Sequence, residues 1–151
     1  MAAVIKGFGA LDRKLAALGN AKSVQKVVRQ AVVFALTPVV KSAKADIPQG
    51  TDSHILPDGR VVSPGYASRS IKKKTKNGRL GDRYLVQGLV GVRASAWYST
   101  LYDTGYTRAD GTKVAGDDWL TDAGKDNVDV MIARFNTKLA KAIIKEAKKN
   151  V

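Results

Sequence analysis

Apolar residues fall at helical spacing in three stretches of the chain. Leu11, Leu15 and Leu18 predict a short amphipathic helix over 5–18, ended by Gly19-Asn20. Ser23 is a candidate cap for a second helix running to about Ala45. Val24, Val27, Val28, Ala31, Ala35, Val39 and Ser42 share one of its faces, while Val32, Val33, Leu36 and Val40 fall on others. A segment apolar almost all round suits central burial or contact with a second subunit. Pro38 predicts a kink, because it lacks an N–H. From about Trp119 the pattern is helical to the end. Val128, Met131, Ile132, Phe135, Leu139, Ala142 and Ile143 form one stripe, and Arg134, Lys138, Lys141, Lys145 and Lys148 another.

The stretches between read differently. Residues 46–66 form a long loop holding Pro48, Pro57 and Pro64, with Pro57-Asp58-Gly59 as the turn of a small hairpin between Ile55-Leu56 and Val61-Val62. Ser68–Lys76 reads as a strand or a short helix, and Asn77-Gly78 as a turn. Tyr84–Arg93 and Ala94–Asp103 read as two antiparallel strands, the second open to a helical alternative. Residues 105–118 are a second long loop with a hairpin-like turn at Ala109-Asp110-Gly111-Thr112. The expected fold is α+β, a single domain over 1–151. N-terminal helices and a C-terminal helix pack on a small antiparallel β-sheet with long loops.

Composition narrows the chemistry. With 151 residues and 44% apolar content, the chain can fold around one core. It has no Cys and one His, which excludes disulfides, thiol nucleophiles, Cys-based zinc sites and His-rich metal sites within one copy. Ala2–Ile5 is too short for a signal-peptide core, and Ala31–Val40 is half the length of a membrane span, so a soluble protein is expected. The formal net charge is +13, unevenly spread. Residues 1–93 carry 17 basic and 5 acidic side chains; residues 103–129 carry 7 Asp against Arg108, Lys113 and Lys125. Such polarity suits an anionic partner or an oriented contact with another copy.

Five candidate sites follow. Asp103-Thr104-Gly105 is the triplet of aspartic proteases, whose two Asp residues share a proton, so one triplet would require a homodimer. That reading needs an apolar strand before the Asp; Tyr102 and Ser99-Thr100 stand there, so the triplet reads as a strand end and a Gly turn. Asp117, Asp118, Asp122 and Asp126 lack calcium-loop spacing and read as helix-start charges. His54 reads as a surface-loop histidine. Arg69, Lys72, Lys73, Lys74, Lys76, Arg79 and Arg83 form the best phosphate-contact run. Gly78-Arg79-Leu80-Gly81 has the form of the nucleic-acid clamp of KH domains but is flanked by a Lys run and a strand instead of two helices. Trp97, Tyr98, Tyr102 and Tyr106 suit a core or a subunit interface better than base stacking. No catalytic, metal or cofactor constellation is expected.

The order of features resembles the neck or tail-completion family of tailed bacteriophages, small head–tail joining proteins also described as minor tail components. Gly7, Leu11, Leu15 and Leu18 match its Gly-x-x-x-Leu-x-x-x-Leu-x-x-Leu lead, and Ala43-Lys44-Ala45-Asp46-Ile47-Pro48 the end of its long Ala/Val helix. Ser68-Arg69-Ser70-Ile71 looks like the family's strand start. Trp97-Tyr98-Ser99-Thr100-Leu101-Tyr102-Asp103-Thr104-Gly105 resembles its aromatic pair followed by an acidic-x-Gly turn. Trp119-Leu120-Thr121-Asp122-Ala123 stands where the family has a Pro-rich hinge before the last helix, here without the prolines, and the 46–66 loop is longer than usual.

The resemblance implies a non-enzymatic virion protein, assembled in the host cytoplasm and located at the neck or tail. It would form a homo-oligomeric ring, hexameric by the family's habit, between the head connector or stopper and the tail tube or terminator. Val32, Val33, Leu36, Val40, Trp97, Tyr98, Tyr102, Asp103 and Trp119 are then candidate subunit-interface residues. Arg69, Lys72, Lys73, Lys74, Lys76 and Arg79 would face DNA or an acidic partner. No cofactor is implied, and genomic DNA is at most a transient neighbour. The alternative is a small basic nucleic-acid-binding module using the 69–83 run.

Overall fold

The computed structural model describes residues 21–56, 58–80 and 83–147. The helix expected over 5–18 lies outside them, as do the side chains of Ser23 and Arg79. In chain order the elements are α1 (Ala21–Ala35), α2 (Thr37–Asp46), β1 (His54–Ile55), β2 (Val61–Val62), α3 (Tyr66–Ser70), β3 (Ile71–Leu80) and β4 (Arg83–Val92). A 3-10 turn (Ala94–Ala96), α4 (Ser99–Thr104), β5 (Tyr106–Thr107), β6 (Lys113–Val114), α5 (Trp119–Asp126) and α6 (Val128–Ala147) follow. The fold is α+β, as the periodicity predicts. Its strands pair as three separate two-stranded antiparallel ribbons.

Pro38 explains the join between α1 and α2. It occupies the first turn of α2, where a missing N–H has no helical partner to lose. The expected kink is thus a break at Leu36, and Thr37 Oγ1 closes it by donating to the Phe34 carbonyl at 2.9 Å. The shared apolar face holds across the break: Ala31, Ala35, Val39 and Ala43 are all buried. Small side chains at 31 and 35 let α6 lie close along α1, with Phe135 and Leu139 filling the seam beside Val27, Val28 and Ile143. Burying each of those two large side chains contributes about 1.5–3 kcal/mol. On α2, Val39, Ala43 and Ile47 meet Trp119 and Ala123 of α5 and Ile71 of β3. A second break at Asn127 divides the expected C-terminal helix. Asn127 Nδ2 donates to the Ala123 carbonyl at 2.9 Å and to Ser42 Oγ at 3.2 Å, fixing the corner to α2.

The β3–β4 ribbon runs in continuous register from Ile71↔Val92 to Leu80↔Arg83. Asn77-Gly78 is therefore not the turn: both residues are in the ladder, opposite Val86 and Leu85. Continued cross-strand pairing outweighs the local turn preference of that dipeptide. Alternation gives the ribbon two faces. Ile71, Lys73 and Thr75, with Val92, Val90 and Gly88, face the helices. Lys72, Lys74 and Lys76, with Gly91, Leu89 and Gln87, face outward. At Gly88 an added Cβ would stand 2.8 Å from Val32 Cγ1 and 2.9 Å from Leu36 Cδ1. Glycine there lets strand and helix touch, and it engages Val32 and Leu36 within the chain.

The ribbon packs on α1 and α2, α6 packs on α1, and α5 packs on α2. Residues 94–103 take the helical alternative, because Ala96, Ser99 and Asp103 make an i, i+3, i+7 buried line. Back-bonds from Ser99 Oγ to the Ala96 carbonyl (2.7 Å) and from Thr104 Oγ1 to the Thr100 carbonyl (3.0 Å) satisfy their hydroxyls. The small hairpins form where expected, the first shifted by one residue to His54–Ile55 against Val61–Val62. Among the described residues no helix is long and apolar enough to cross a membrane.

Candidate functional site

Three places bring charged side chains together. The first is the α4–α5 junction. Asp103, only 7% exposed, accepts the Leu120 N–H at 2.6 Å and the Thr121 N–H at 3.2 Å on Oδ1, and the Thr121 hydroxyl at 3.2 Å on Oδ2. The residue preceding α5, Asp118, sits at φ 52° and makes no side-chain cap. Asp103 caps that helix instead, from a distant point in the chain. The backbone closes around it: Asp117 and Asp118 N–H groups donate to the Tyr102 and Asp103 carbonyls at 2.8 and 3.1 Å. Gly116 carries no Cβ because one would collide with the Asp103 carbonyl, and at Gly105 (φ 76°) a Cβ would stand 2.6 Å from the Val114 carbonyl. Trp119 is 3% exposed and donates its indole N–H to the Ser99 carbonyl at 3.3 Å.

Asp103 and Trp119 are therefore interior residues of one chain, not parts of an exposed contact surface. The Asp-Thr-Gly triplet ends a helix instead of a strand. Its carboxylate is held by three donors inside the fold, with no geometry for sharing a proton with a second copy.

The second place is a pair of charge rows on different elements. Lys72, Lys74 and Lys76 line the outer face of the ribbon, at about 6.8 Å intervals for alternate strand residues. Half-exposed Leu89 stands across from Lys74, and half-exposed Leu85 across from Gly78, past the end of the row. Along α5, Asp118, Asp122 and Asp126 stand exposed at about 6 Å intervals, the rise of four helical residues. Asp126 ends α5 and immediately precedes α6, so its charge opposes the dipole of the first helix and favours that of the second. Among the described residues the ion pairs are Asp58–Arg60 at 2.6 Å and Asp122–Lys125 at 3.1 Å. Neither joins the two rows.

The third place was not foreseen from sequence. An open groove of about 870 Å³ lies between α1, the inner edge of β3 and α6. Phe34 forms its floor, 38% exposed. The Arg134 guanidinium stacks over the Phe34 ring at 4.1 Å and Lys138 Nζ lies 5.5 Å from it. Lys26, Arg29 and Lys73 line the rest of the wall. These cations are held by neutral acceptors. Arg29 Nε donates to Thr75 Oγ1 at 3.2 Å, Lys73 Nζ to Thr37 Oγ1 at 2.7 Å, and Arg134 Nε to the Phe34 carbonyl at 3.4 Å. Partial burial, reinforced by the Arg134 charge, holds the Lys73 ammonium below its usual range. The basic run is thus divided: Lys73 belongs to the groove and its neighbours to the outer face. Arg69 belongs to neither, since its guanidinium donates to Pro64 and Ser63 in the 46–66 loop.

The aromatic cluster is likewise divided. Trp97 and Tyr102 are half exposed, Tyr98 and Tyr106 partly buried. Burial raises the Tyr98 phenol above its usual range. Its hydroxyl lies 3.2 Å from His54 Nε2, with the rings edge to face at 5.3 Å. His54 therefore pins the long loop to the segment leading into α4. Val33 lines the groove beside Phe34, and Val40 packs against the α2–α5 core, leaving less of the apolar helix for outside contact than its sequence suggests. The chain matches no protein-family model, no curated protein and no solved structure with which it was compared.

Proposed function

We propose that this protein is a structural, non-enzymatic component of a tailed-phage virion. It forms a ring at the neck that joins or completes the tail at the head connector. The observation that carries the reading is the segregation of exposed charge by element: a basic row on the outer face of the ribbon and an acidic row along α5, with no ion pair between them among the described residues. A self-complementary two-fold contact sets the same patch against itself, which like charges oppose. Separate patches of opposite sign favour the heterologous, head-to-tail contact from which rings are built. The similar spacing of the ammonium and carboxylate rows supports the same arrangement. Leu85, Leu89, Trp97 and Tyr102 add exposed apolar area of the kind that interfaces bury. The ordered resemblance to neck proteins supplies the biological setting, and the structural use of Asp103 fits a motif kept for architecture.

Charge reversal tests the assembly. Lys72→Glu/Lys74→Glu/Lys76→Glu and Asp118→Lys/Asp122→Lys/Asp126→Lys should each abolish self-association in light scattering, and the mixture of both should restore it. Self-association surviving in both variants would remove this interface. In phage, loss of the protein should leave heads and tails unjoined; particles lacking it yet carrying joined tails would overturn the neck assignment.

A further inference from the structure

We infer that the groove over Phe34 binds the phosphodiester backbone of a nucleic acid. This site is separate from the charge rows used above, and a monomer with an intact groove would bind equally well. Lys26, Arg29, Lys73 and Lys138, from three elements, line one open groove, and Arg134 stands beside it over the Phe34 ring. Neither α1 nor the two strands of the ribbon carries a single acidic residue. On α6 the acidic side chains are Asp129 and Glu146, at the ends of the helix away from Arg134 and Lys138. Like charges gathered without a carboxylate repel, and partial burial adds to that cost. A bound polyanion relieves both.

The form of the groove favours phosphate over an acidic peptide. Guanidinium groups from Arg29 and Arg134 offer forked donors that match phosphate oxygens. The remaining cations are lysines, which contact phosphate as point charges. The Phe34 ring, 38% exposed beneath the Arg134 guanidinium, borders the same groove, and basic grooves beside aromatic rings hold single strands without sequence preference. Arg134 is poised: its contacts are a ring face and a long hydrogen bond to a carbonyl, so its outer N–H groups remain available to an anion. Gln25 and Gln30 add neutral donors at the rim.

The test measures fluorescence anisotropy of the full chain with a labelled oligothymidylate and with a mixed-sequence duplex. The affinity for the preferred form should fall with salt at a log–log slope of roughly −2 to −4, for three to five phosphates contacted. Arg134→Gln/Lys138→Gln should weaken binding at least tenfold. Lys26→Gln/Arg29→Gln, on an exposed helix face and independent of the Phe34 packing, should do the same. Lys72→Gln/Lys74→Gln/Lys76→Gln, which removes one charge more than either pair, should change affinity less than threefold. Tighter binding to the single strand assigns the Phe34 face to base stacking; tighter binding to the duplex assigns the groove to the backbone alone. The inference fails if the outer-face variant loses as much as the groove variants, if neither nucleic acid binds, or if oligoglutamate displaces the oligonucleotide at equal charge concentration.

Discussion

The β3–β4 ribbon and the α4–α5 junction both depend on charged side chains and use them in opposite ways. At the junction one carboxylate points inward, where two backbone N–H groups and a hydroxyl converge on it. On the ribbon a row of ammonium groups points outward, with no carboxylate paired to it among the described residues. A charge surrounded by donors holds the fold together. A charge with no internal partner contributes little to stability and leaves its interaction energy for another molecule. The location of the partner, more than the residue type, separates architecture from association here.

Substitutions at each region sharpen or break that contrast. Asp103→Ala should have the largest effect. It strands the Leu120 and Thr121 N–H groups at a buried helix start, a loss of about 3 kcal/mol, or roughly 6–12 °C in Tm for a chain of this size. A thermal melt within a degree of wild type would show that the junction is not held by this carboxylate. Gly116→Ala forces a methyl group against the Asp103 carbonyl and should cost about 2–3 kcal/mol in urea unfolding. Gly88→Val, which drives a side chain into Val32 and Leu36, should cost about 1–3 kcal/mol. Lys74→Ala should change stability by no more than about 0.5 kcal/mol. A loss of several times that would mean the outer row does structural duty after all, and the contrast would collapse.

Periodicity in the sequence reveals much of this fold. The α6 stripe of Met131, Phe135, Leu139 and Ile143 is the one that packs on α1, and the Ala109–Thr112 turn sits between β5 and β6. What stays hidden is set by distance. Asp103 caps a helix that begins sixteen residues later, and no local pattern announces a carboxylate donated across a loop. The groove is hidden for the same reason, because Lys26, Lys73 and Lys138 meet only once α1 packs against both β3 and α6. Asn77-Gly78 misleads in the other direction. Its turn preference is real but small beside a ladder that continues past it. Ala94–Asp103 is ambiguous because its apolar residues fit alternation and helical spacing about equally, and burial of Ala96, Ser99 and Asp103 decides between them.

The register of the ribbon has one more consequence. Among the described residues β3 and β4 pair only with each other, so each presents an outer edge of backbone donors and acceptors. Such edges invite strand-by-strand growth into aggregates, and lysines are a common guard against it. A ribbon ten residues long on each side, with Leu85 and Leu89 on its open face, would be an aggregation hazard without them. By that rule the lysine row disfavours edge-to-edge pairing of the ribbon with a second copy.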